Sequence, residues 1–546
     1  MKESFIRKWS VVFILSLALA IILIDATLLN VSLATIIRDL NTNIQSIQWV
    51  ITAYSLTIAA LMITGGRLGD LFGRKKMFII GAATFAVGSF IASISHNVPT
   101  MIMGESIIEG VGAALMMPAT ASLLVSKYKG RDRGIAFGIW GGVAAAATAI
   151  GPILGGYLTT YYSWRWGFRI NVFVAALLIA GSFLITEYKD TREKPSLDWV
   201  GVFLSSVGLL SLVFGIIESS TYGWIKAKDV FVAFGHSFTL GGYSITVPTV
   251  AFGLVLLILF GVWESNVEKR GVTPLVSLHL FRNRQFTASM VTTGIISLGQ
   301  AGLIFSIPVF MQAVRGADAF HTGLVMLPMS LTALFIAPLA GAFVHKISPK
   351  RVVQIGLLSS TIGYIILATT LNVNSSSTSL ILPFVFMGLG MGATMSSISN
   401  LTLSAVSPEQ SGEASGVNNT FRQLGGTLGT AVIGAILIST ISTNLATGID
   451  NSKVIPPVAK PAIASAVSNQ TSNVEFNGGA QIGSNISKTI KDEIVNISHT
   501  AITDANKQSI GYTALLSALS LLVAFFIPGG KNIEIEKDIA VKPKNT

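Results

Sequence analysis

The sequence contains no cysteine and few charged residues for its length. Without cysteine, none of its 546 residues can form a disulfide bond or a thiolate metal site. Charged residues make up 12% of the chain, whereas soluble domains contain about 25%. The motifs GxxxxGK[ST], HExxH and GxSxG are also missing, which argues against direct use of ATP and against hydrolase chemistry. We therefore expect no enzyme activity, no cofactor and no bound metal.

Long apolar runs, by contrast, are abundant. Hydrophobic residues make up 51% of the chain, and the mean hydropathy is +0.67. Runs long enough to cross ~30 Å of hydrocarbon recur about fourteen times, from residues 9–37 to residues 509–529. The pattern predicts an all-α membrane protein with about fourteen transmembrane helices.

Basic residues indicate the orientation of these helices. The net charge is +11, but the cations cluster in alternate short loops rather than on one soluble face, which argues against nucleic-acid binding. Positive loops stay inside the cell, so we expect an even number of spans and both termini in the cytoplasm. We expect the chain to lie in the cell membrane, which would be a bacterial plasma membrane. The basic loop residues are Arg67, Arg74, Lys75, Lys76, Lys127, Lys129, Arg131, Arg133, Lys189, Arg192, Lys194, Lys269, Arg270, Arg282, Arg284, Lys346, Lys350 and Arg351.

Three regions are predicted along the chain. Residues 1–190 form an N-terminal six-helix bundle, residues 191–285 form two central linker helices with an external hairpin, and residues 286–546 form a C-terminal six-helix bundle. Paired bundles of this kind bind their substrate at mid-membrane between them, in contact with membrane lipids. We expect the protein to function as a monomer.

Two inserts and the tail lie outside the predicted spans. Alternating residues at 230–234 and 243–247 flank a Gly-Gly pair and predict the external β-hairpin. Residues 443–508 predict an external loop, in which Ile486, Ile490, Ile494 and Ile497 indicate an amphipathic helix lying on the outer face. The charged tail at 530–546 is expected in the cytoplasm.

A glycine-rich basic loop at 66–76 is the most specific motif of the sequence. It contains Gly66, Gly69, Asp70, Gly73 and Arg74 between two apolar runs, and a weaker copy follows the tenth run at 341–351. Asp70 is expected at a helix N-terminus, paired with Arg74 or with Arg133, which opens the fifth span. The loop resembles the loop between helices 2 and 3 of the major facilitator superfamily of secondary transporters, and this resemblance implies a gate that holds the cytoplasmic ends of the bundles together.

Glycines four residues apart mark the fifth span. They predict a smooth face for close helix contact, which a proline kinks at its end. The run resembles the antiporter signature of the drug exporters in the same superfamily. The residues of this face are Gly138, Gly142, Gly151, Pro152, Gly155 and Gly156.

Three carboxylates lie inside predicted spans, where a charge costs at least ~2.5 kcal/mol. Asp25 and the nearby Asn30 resemble the first-helix motif of the fourteen-span drug:proton antiporter branch. The fourth span resembles the family's motif there, but Glu105 and Glu109 flank a serine that replaces the usual arginine. Four residues apart, they share a helix face and are candidates for proton coupling. Arg169, from the sixth span, is expected either to pair with Glu105 or to extend to the outer membrane interface.

The second half offers uncharged candidates for a pocket. Gln300, Phe310, Phe384 and Met387, with Asn30 from the first span, would suit varied lipophilic molecules. Arg422, opening the thirteenth span, is expected to be a second cytoplasmic gate residue or a residue that sets the topology.

The resemblance implies a proton-coupled exporter of lipophilic, cationic drugs or toxic compounds, a multidrug efflux antiporter. One alternative keeps the fold and exports lipids or amphiphiles. Another is a solute facilitator or importer, against which the glycine–proline face of the fifth span argues. An ion channel is disfavoured because it does not need the duplicated gating loop.

Overall fold

The protein is an almost entirely helical bundle. The computed structural model describes residues 5–42, 44–186, 197–228, 230–233, 236–238, 241–343, 347–461, 463 and 487–528. The helices are α1 (Phe5–Asp39), α2 (Ile44–Phe72), α3 (Arg74–Ser93), α4 (Val98–Met101), α5 (Gly110–Lys127), α6 (Gly130–Tyr161), α7 (Arg165–Gly181), α8 (Trp199–Tyr222), α9 (Thr246–Lys269), α10 (Arg284–Ala313), α11 (Ala319–Phe343), α12 (Pro349–Thr370), α13 (Ile381–Ser404), α14 (Ser411–Asn451) and α15 (Lys488–Phe525). We refer to α1–α7 as the N-terminal helices and to α10–α15 as the C-terminal helices.

The predicted number of membrane spans is confirmed. Among the described residues, 13 helical segments are long and apolar enough to cross a membrane, and α6, bent by 41° between Thr148 and Ile150, provides a fourteenth. The bend has a simple cause, because Pro152 leaves the carbonyl of Thr148 without its helical donor. The two pieces of α6 together make one kinked span.

The fourth span departs from α-helical geometry where its carboxylates lie. Residues Ile102–Glu109 form a π-helical segment between α4 and α5, and the three pieces together span Val98–Lys127. Asn97 caps the start of α4 by accepting a hydrogen bond from the Thr100 amide at 2.9 Å. A π segment widens the helix locally and occurs often at functional sites. This one contains both Glu105 and Glu109.

Contacts between helix ends agree with the orientation expected from the charges. At the end assigned to the cytoplasm, Trp9 stacks on Tyr128 with ring centres 5.8 Å apart. Lys75 donates to the carbonyl of Ile185 at 2.8 Å. Lys350 donates in the same way to Phe525, at the end of the last helix. The start of α1 and the end of α15 therefore lie at the end of the bundle that carries the basic loops.

The two inserts differ from the sequence-based predictions. The hairpin strands are β1 (Phe231–Ala233) and β2 (His236–Phe238), so the predicted strand at 243–247 is wrong. The Ser244 hydroxyl accepts from the Thr246 amide there and helps to start α9. The amphipathic helix does not lie flat on the outer face, because it belongs to α15, which is 38 residues long and continues the last span outward.

The outward parts of α14 and α15 pack against each other. Ile494 of α15 is 2% exposed and shares an apolar cluster with Leu445 and Ile449 of α14. The Ser452 hydroxyl also hydrogen-bonds to the Glu493 carboxylate at 2.8 Å. Ile486 and the tail 530–546 lie outside the described residues. Much of the predicted loop 443–508 is therefore paired helix.

Candidate functional site

Three buried carboxylates from two spans meet among the N-terminal helices. Carboxylate oxygens of Asp25 on α1 and of Glu105 and Glu109 on the π segment all lie within 4.8 Å of one another. Their side chains are 1%, 0% and 0% exposed, respectively. We call these three residues the carboxylate cluster.

Asn171 of α7 connects the members of this cluster. Its side-chain amide donates to Asp25 Oδ1 at 2.7 Å and to Glu109 Oε1 at 3.2 Å. The remaining oxygens, Asp25 Oδ2, Glu109 Oε2 and both of Glu105, are buried without a hydrogen-bond partner among the described residues. Residues of α1, the π segment and α7 therefore meet at the cluster, but most of its carboxylate oxygens lack a hydrogen-bond donor.

The carboxylate cluster has no neutralising cation among the described ion pairs. Two ionised carboxylates 4.8 Å apart repel each other by about 3 kcal/mol at an effective dielectric constant of about 20. Three negative charges at this spacing would be strongly unfavourable in a site closed to water. The arrangement can instead hold protons, because a protonated carboxyl can donate to a neighbouring carboxylate.

Carboxylate oxygens could in principle bind a metal ion. The Asn171 amide donates to one oxygen each of Asp25 and Glu109, which leaves four carboxylate oxygens of the cluster without a hydrogen-bond partner among the described residues. The expectation of no bound metal therefore stays a prediction.

The expected pairing of Arg169 with Glu105 is wrong. The guanidinium carbon of Arg169 lies 5.2 Å from the centre of the Trp166 ring, and neither Arg169 nor Glu105 occurs in a described ion pair. Trp166 is 39% exposed, whereas Glu105 is fully buried. Arg169 thus stays on the outer surface of α7, where an aromatic ring and solvent both stabilise its charge.

The predicted loop at 66–76 consists in the structure of the end of α2, Gly73 and the start of α3. It joins the N-terminal helices to α14. Asp70 forms a 3.0 Å ion pair with Arg74, with only 7% of its own side chain exposed. It also accepts hydrogen bonds from the backbone amides of Gly412 at 3.2 Å and Glu413 at 2.8 Å, in the first turn of α14. The acid was expected at a helix N-terminus, and this one belongs to the other half of the chain. The contact holds the cytoplasmic ends of α2 and α14 together.

Glycines make this close approach possible. A side chain at Gly66 would overlap the backbone of Gly412, whereas one at Gly69 would only touch Arg74. Gly73 connects α2 to α3 with φ of 101°, a conformation that favours glycine. Arg133 does not join the contact, because its guanidinium lies over the Phe137 ring at 5.9 Å. The expected alternative pairing of Asp70 with Arg133 is therefore not formed.

The glycine face of α6 packs against two helices. A Cβ at Gly134 or Gly138 would lie 2.5 Å from a backbone oxygen of α11, and one at Gly142 would lie 3.0 Å away. Beyond the bend, Gly151 abuts Thr27 and Gly155 abuts Leu28, both on α1. One face thus packs on a C-terminal helix in its first part and on the helix that carries Asp25 in its second. Gly156 is buried in the same part of α6.

The predicted pocket residues mostly belong to packed core. Phe310, Phe384 and Met387 are at most 2% exposed and form part of the apolar cluster of the C-terminal helices. Gln300 lines a cavity of ≈ 20 Å³, which has room for about one water molecule. The side chain of Asn30 lies outside the described residues. Helical spacing predicted burial correctly but could not separate a pocket wall from core.

Arg422 also differs from its predicted place. It lies 11 positions after the start of α14 at Ser411, or about 16 Å along the helix. Its guanidinium reaches the sulfur of Met117 on α5 at 4.0 Å. Arg422 therefore lies between the two halves deep in the bundle rather than at the cytoplasmic surface.

Two contributors to the site were missed as such. Asn171, which lies two positions after Arg169 in α7, was not singled out from the sequence as part of the site. Tyr54 of α2 is 3% exposed, and its hydroxyl has no partner among the described residues. It lies within electrostatic range of all three carboxylates. A polar residue in an apolar span was the available signal for both.

Comparisons with known proteins agree with this architecture. The chain is 30% identical over 436 residues to the tetracenomycin C resistance and export protein of Streptomyces glaucescens, covering 80% of this chain and 77% of that protein. It is 26% identical over 525 residues to the multidrug efflux pump LfrA of Mycolicibacterium smegmatis, covering 96% of each. The proton:xylose symporter XylE shares the fold with a TM-score of 0.55 at 13% identity, over 95% of this chain and 96% of XylE.

The family model described as Major Facilitator Superfamily matches residues 15–430. That range includes the carboxylate cluster, the loop at 66–76 and the glycine face of α6. The chain is therefore a multi-pass membrane transporter that belongs to the major facilitator superfamily.

Proposed function

We propose that this protein exports lipophilic cationic compounds across a bacterial plasma membrane in exchange for protons. The observation that carries the proposal is the carboxylate cluster, whose members are buried without a cation among the described ion pairs. The similarity to the tetracenomycin C resistance and export protein and to the multidrug efflux pump LfrA supports the direction of transport and the class of cargo. Protons, small hydrophobic substrates and surrounding lipids are then the partners of a monomeric transporter, without nucleic acid.

The cycle follows from alternate exposure of the cluster. Facing outward, Asp25, Glu105 and Glu109 take up protons and release the cargo. Facing inward, a cationic substrate favours the ionised carboxylates, so its arrival promotes proton release to the cytoplasm. The hydrogen bonds from α14 to Asp70 of α2 would keep the inner end closed during the outward step. The regions that move relative to one another in this cycle would be those expected from the sequence, namely residues 1–190, 191–285 and 286–546.

The test is ethidium transport by the purified protein in proteoliposomes with an imposed pH gradient. We expect gradient-driven ethidium movement in the wild type and about 100-fold slower movement with Asp25→Asn, which removes a titratable group of the cluster while keeping its shape. Asp318→Asn is the matched control, because Asp318 is an exposed acid paired with His321 between α10 and α11. Ethidium movement in the wild type that ignores the pH gradient would indicate a facilitator instead.

A second candidate is export of lipids or amphiphiles. A surface cavity of ≈ 380 Å³ favours it, lined by Trp224, Val432, Ala435, Ile436, Ser439, Thr440, Gln508 and Tyr512. Val432 lies 21 positions after the start of α14 at Ser411, about 31 Å along it and hence near the outer membrane boundary. Gradient-driven movement of a fluorescent phospholipid, without movement of ethidium, would favour this candidate.

A further inference from the structure

Hydrogen-bond donors to the carboxylate cluster are scarce, and their number limits how many of its members can be ionised. Only Asp25 Oδ1 and Glu109 Oε1 accept a hydrogen bond from a described residue, and both bonds come from the single Asn171 amide. The other four carboxylate oxygens have no partner. A buried carboxylate without donors is far more costly when ionised than when protonated.

Glu105 is the member with no donor at all. Both of its oxygens are buried and unpartnered, and its side chain is fully enclosed. A proton on Glu105 can be donated to Asp25 or Glu109, which lie within 4.8 Å. Asn171 then stabilises one negative charge on the pair Asp25 and Glu109. Repulsion between two such charges keeps a second proton bound to this pair.

The groups around the cluster supply no compensating charge. Tyr54 on α2 and Ser89 on α3 offer neutral hydroxyls, both buried and without a partner among the described residues. On α7, Arg165 donates to the carbonyl of Ser95 at 2.9 Å, and Arg169 lies on Trp166. Arg422 of α14 contacts Met117, eight positions beyond Glu109 in the same span, or about 12 Å away along it.

From this geometry we infer that the cluster carries two protons in each transport cycle, one on Glu105 and one shared by Asp25 and Glu109. The inference rests on the proposed proton-coupled export and specifies its stoichiometry. Exchange of two protons for one monovalent cation moves one net positive charge inward. Exchange for one divalent cation moves no net charge.

Ethidium and propidium test this prediction, since they share a ring system and carry one and two positive charges. Wild-type proteoliposomes receive a potassium-diffusion potential without a pH gradient, and the accumulation ratio of each dye is measured. The ratio for ethidium should change roughly 50-fold per 100 mV, because one net charge crosses the membrane. The ratio for propidium should not respond. Background movement is subtracted with protein-free liposomes.

Glu105→Gln keeps the shape of the side chain and removes one proton site. With this variant the ethidium ratio should lose its response to potential, and the propidium ratio should gain a response of opposite sign. A direct count complements the dyes: ethidium binding to the detergent-solubilised wild type should release about two protons, and binding to the variant about one, by indicator dye. This count applies also if propidium is not transported.

Failure of the stoichiometry differs from failure of the function. If a pH gradient drives ethidium but potential alone does not, or if Glu105→Gln leaves the proton count unchanged, the two-proton inference is wrong while proton-coupled export stands. If a pH gradient does not drive ethidium at all, the proposed function itself fails. If the glutamine variant does not fold, a wild-type proton count near one overturns the inference alone.

Discussion

The two halves of the chain differ in the polar side chains that they bury: acidic in the N-terminal half and mostly neutral in the C-terminal half. Among the N-terminal helices, the three acids of the carboxylate cluster lie together with most of their oxygens unsatisfied. Among the described C-terminal helices, the comparable feature is neutral: the Ser306 hydroxyl bonds to Asn506 Oδ1 at 2.8 Å, and both residues are buried. Glu413 is the buried acid of those helices, and it lies at the cytoplasmic end. This difference supports the proposal that the N-terminal helices hold the groups whose charge changes during transport.

The largest effect should come from removing charge in the N-terminal half. Asp25→Asn should reduce pH-driven ethidium transport by about 100-fold, as expected when a proton-transfer group is lost. Initial rates in proteoliposomes measure the loss, and binding of ethidium should persist because the shape of the site is kept. Retention of more than about half of the driven rate would contradict the role assigned to Asp25.

A smaller effect is expected where the two halves meet at the cytoplasmic end. Asp70→Asn weakens charge-assisted hydrogen bonds to α14 and the ion pair with Arg74, at a cost of about 2 kcal/mol or roughly a 30-fold shift toward the inward-open state. The cysteine-free chain allows a clean measurement. Ser415→Cys, at a position 1% exposed in α14, should react with a cytoplasmic maleimide much faster when Asp70 is also changed. Equal labelling of Ser415→Cys with and without Asp70→Asn would contradict a gating role for Asp70.

Disrupting the glycine packing between the halves should have an effect on transport similar to or smaller than that of Asp70→Asn. Gly138→Val places side-chain atoms against the backbone of α11, where a Cβ alone would lie 2.5 Å from the Ala337 oxygen. Overpacking of this kind costs about 1–3 kcal/mol in the conformation that has this helix contact. We expect that conformation to be less populated, and the transport rate per folded molecule to fall roughly tenfold. Gly261→Ala in α9 is the control, because a Cβ there meets no atom within 4 Å. If both variants behave alike, close packing is not required.

The smallest effect is expected for the neutral pair of the C-terminal half. Ser306→Ala leaves Asn506 Oδ1 without its partner and should lower stability by about 0.6–1 kcal/mol. The apparent melting temperature in detergent measures this change. The ratio of driven to undriven ethidium transport should stay at the wild-type value, and a loss of coupling would show that the neutral pair also takes part in proton movement.

Patterns along the chain predicted the fold well. Apolar run length determines the number of spans, and loop cations determine which ends lie together, because both effects act locally on each segment. The same reasoning failed at 443–508. Its alanine, serine and asparagine content is typical of loops, but the ends of α14 and α15 stabilise each other through Leu445, Ile449 and Ile494.

Side-chain partners were harder to predict than membrane location. The three acids could be identified because charge is rare and costly inside a span. The position of Arg169 over Trp166 depends on the rotation of α7, which its sequence does not determine. Asp70 finds its partners more than 340 positions later, at Gly412 and Glu413. Such contacts depend on how the halves assemble, and one sequence carries no local signal for them.

Proton exchange at the carboxylate cluster is the central claim, and the triple variant Asp25→Asn, Glu105→Gln, Glu109→Gln tests it most directly. Ethidium transport by the triple variant in proteoliposomes should be independent of an imposed pH gradient, while the wild type should accumulate the dye against its concentration gradient. Gradient-driven accumulation by the folded triple variant would contradict the claim, because no titratable group of the cluster would remain to couple it.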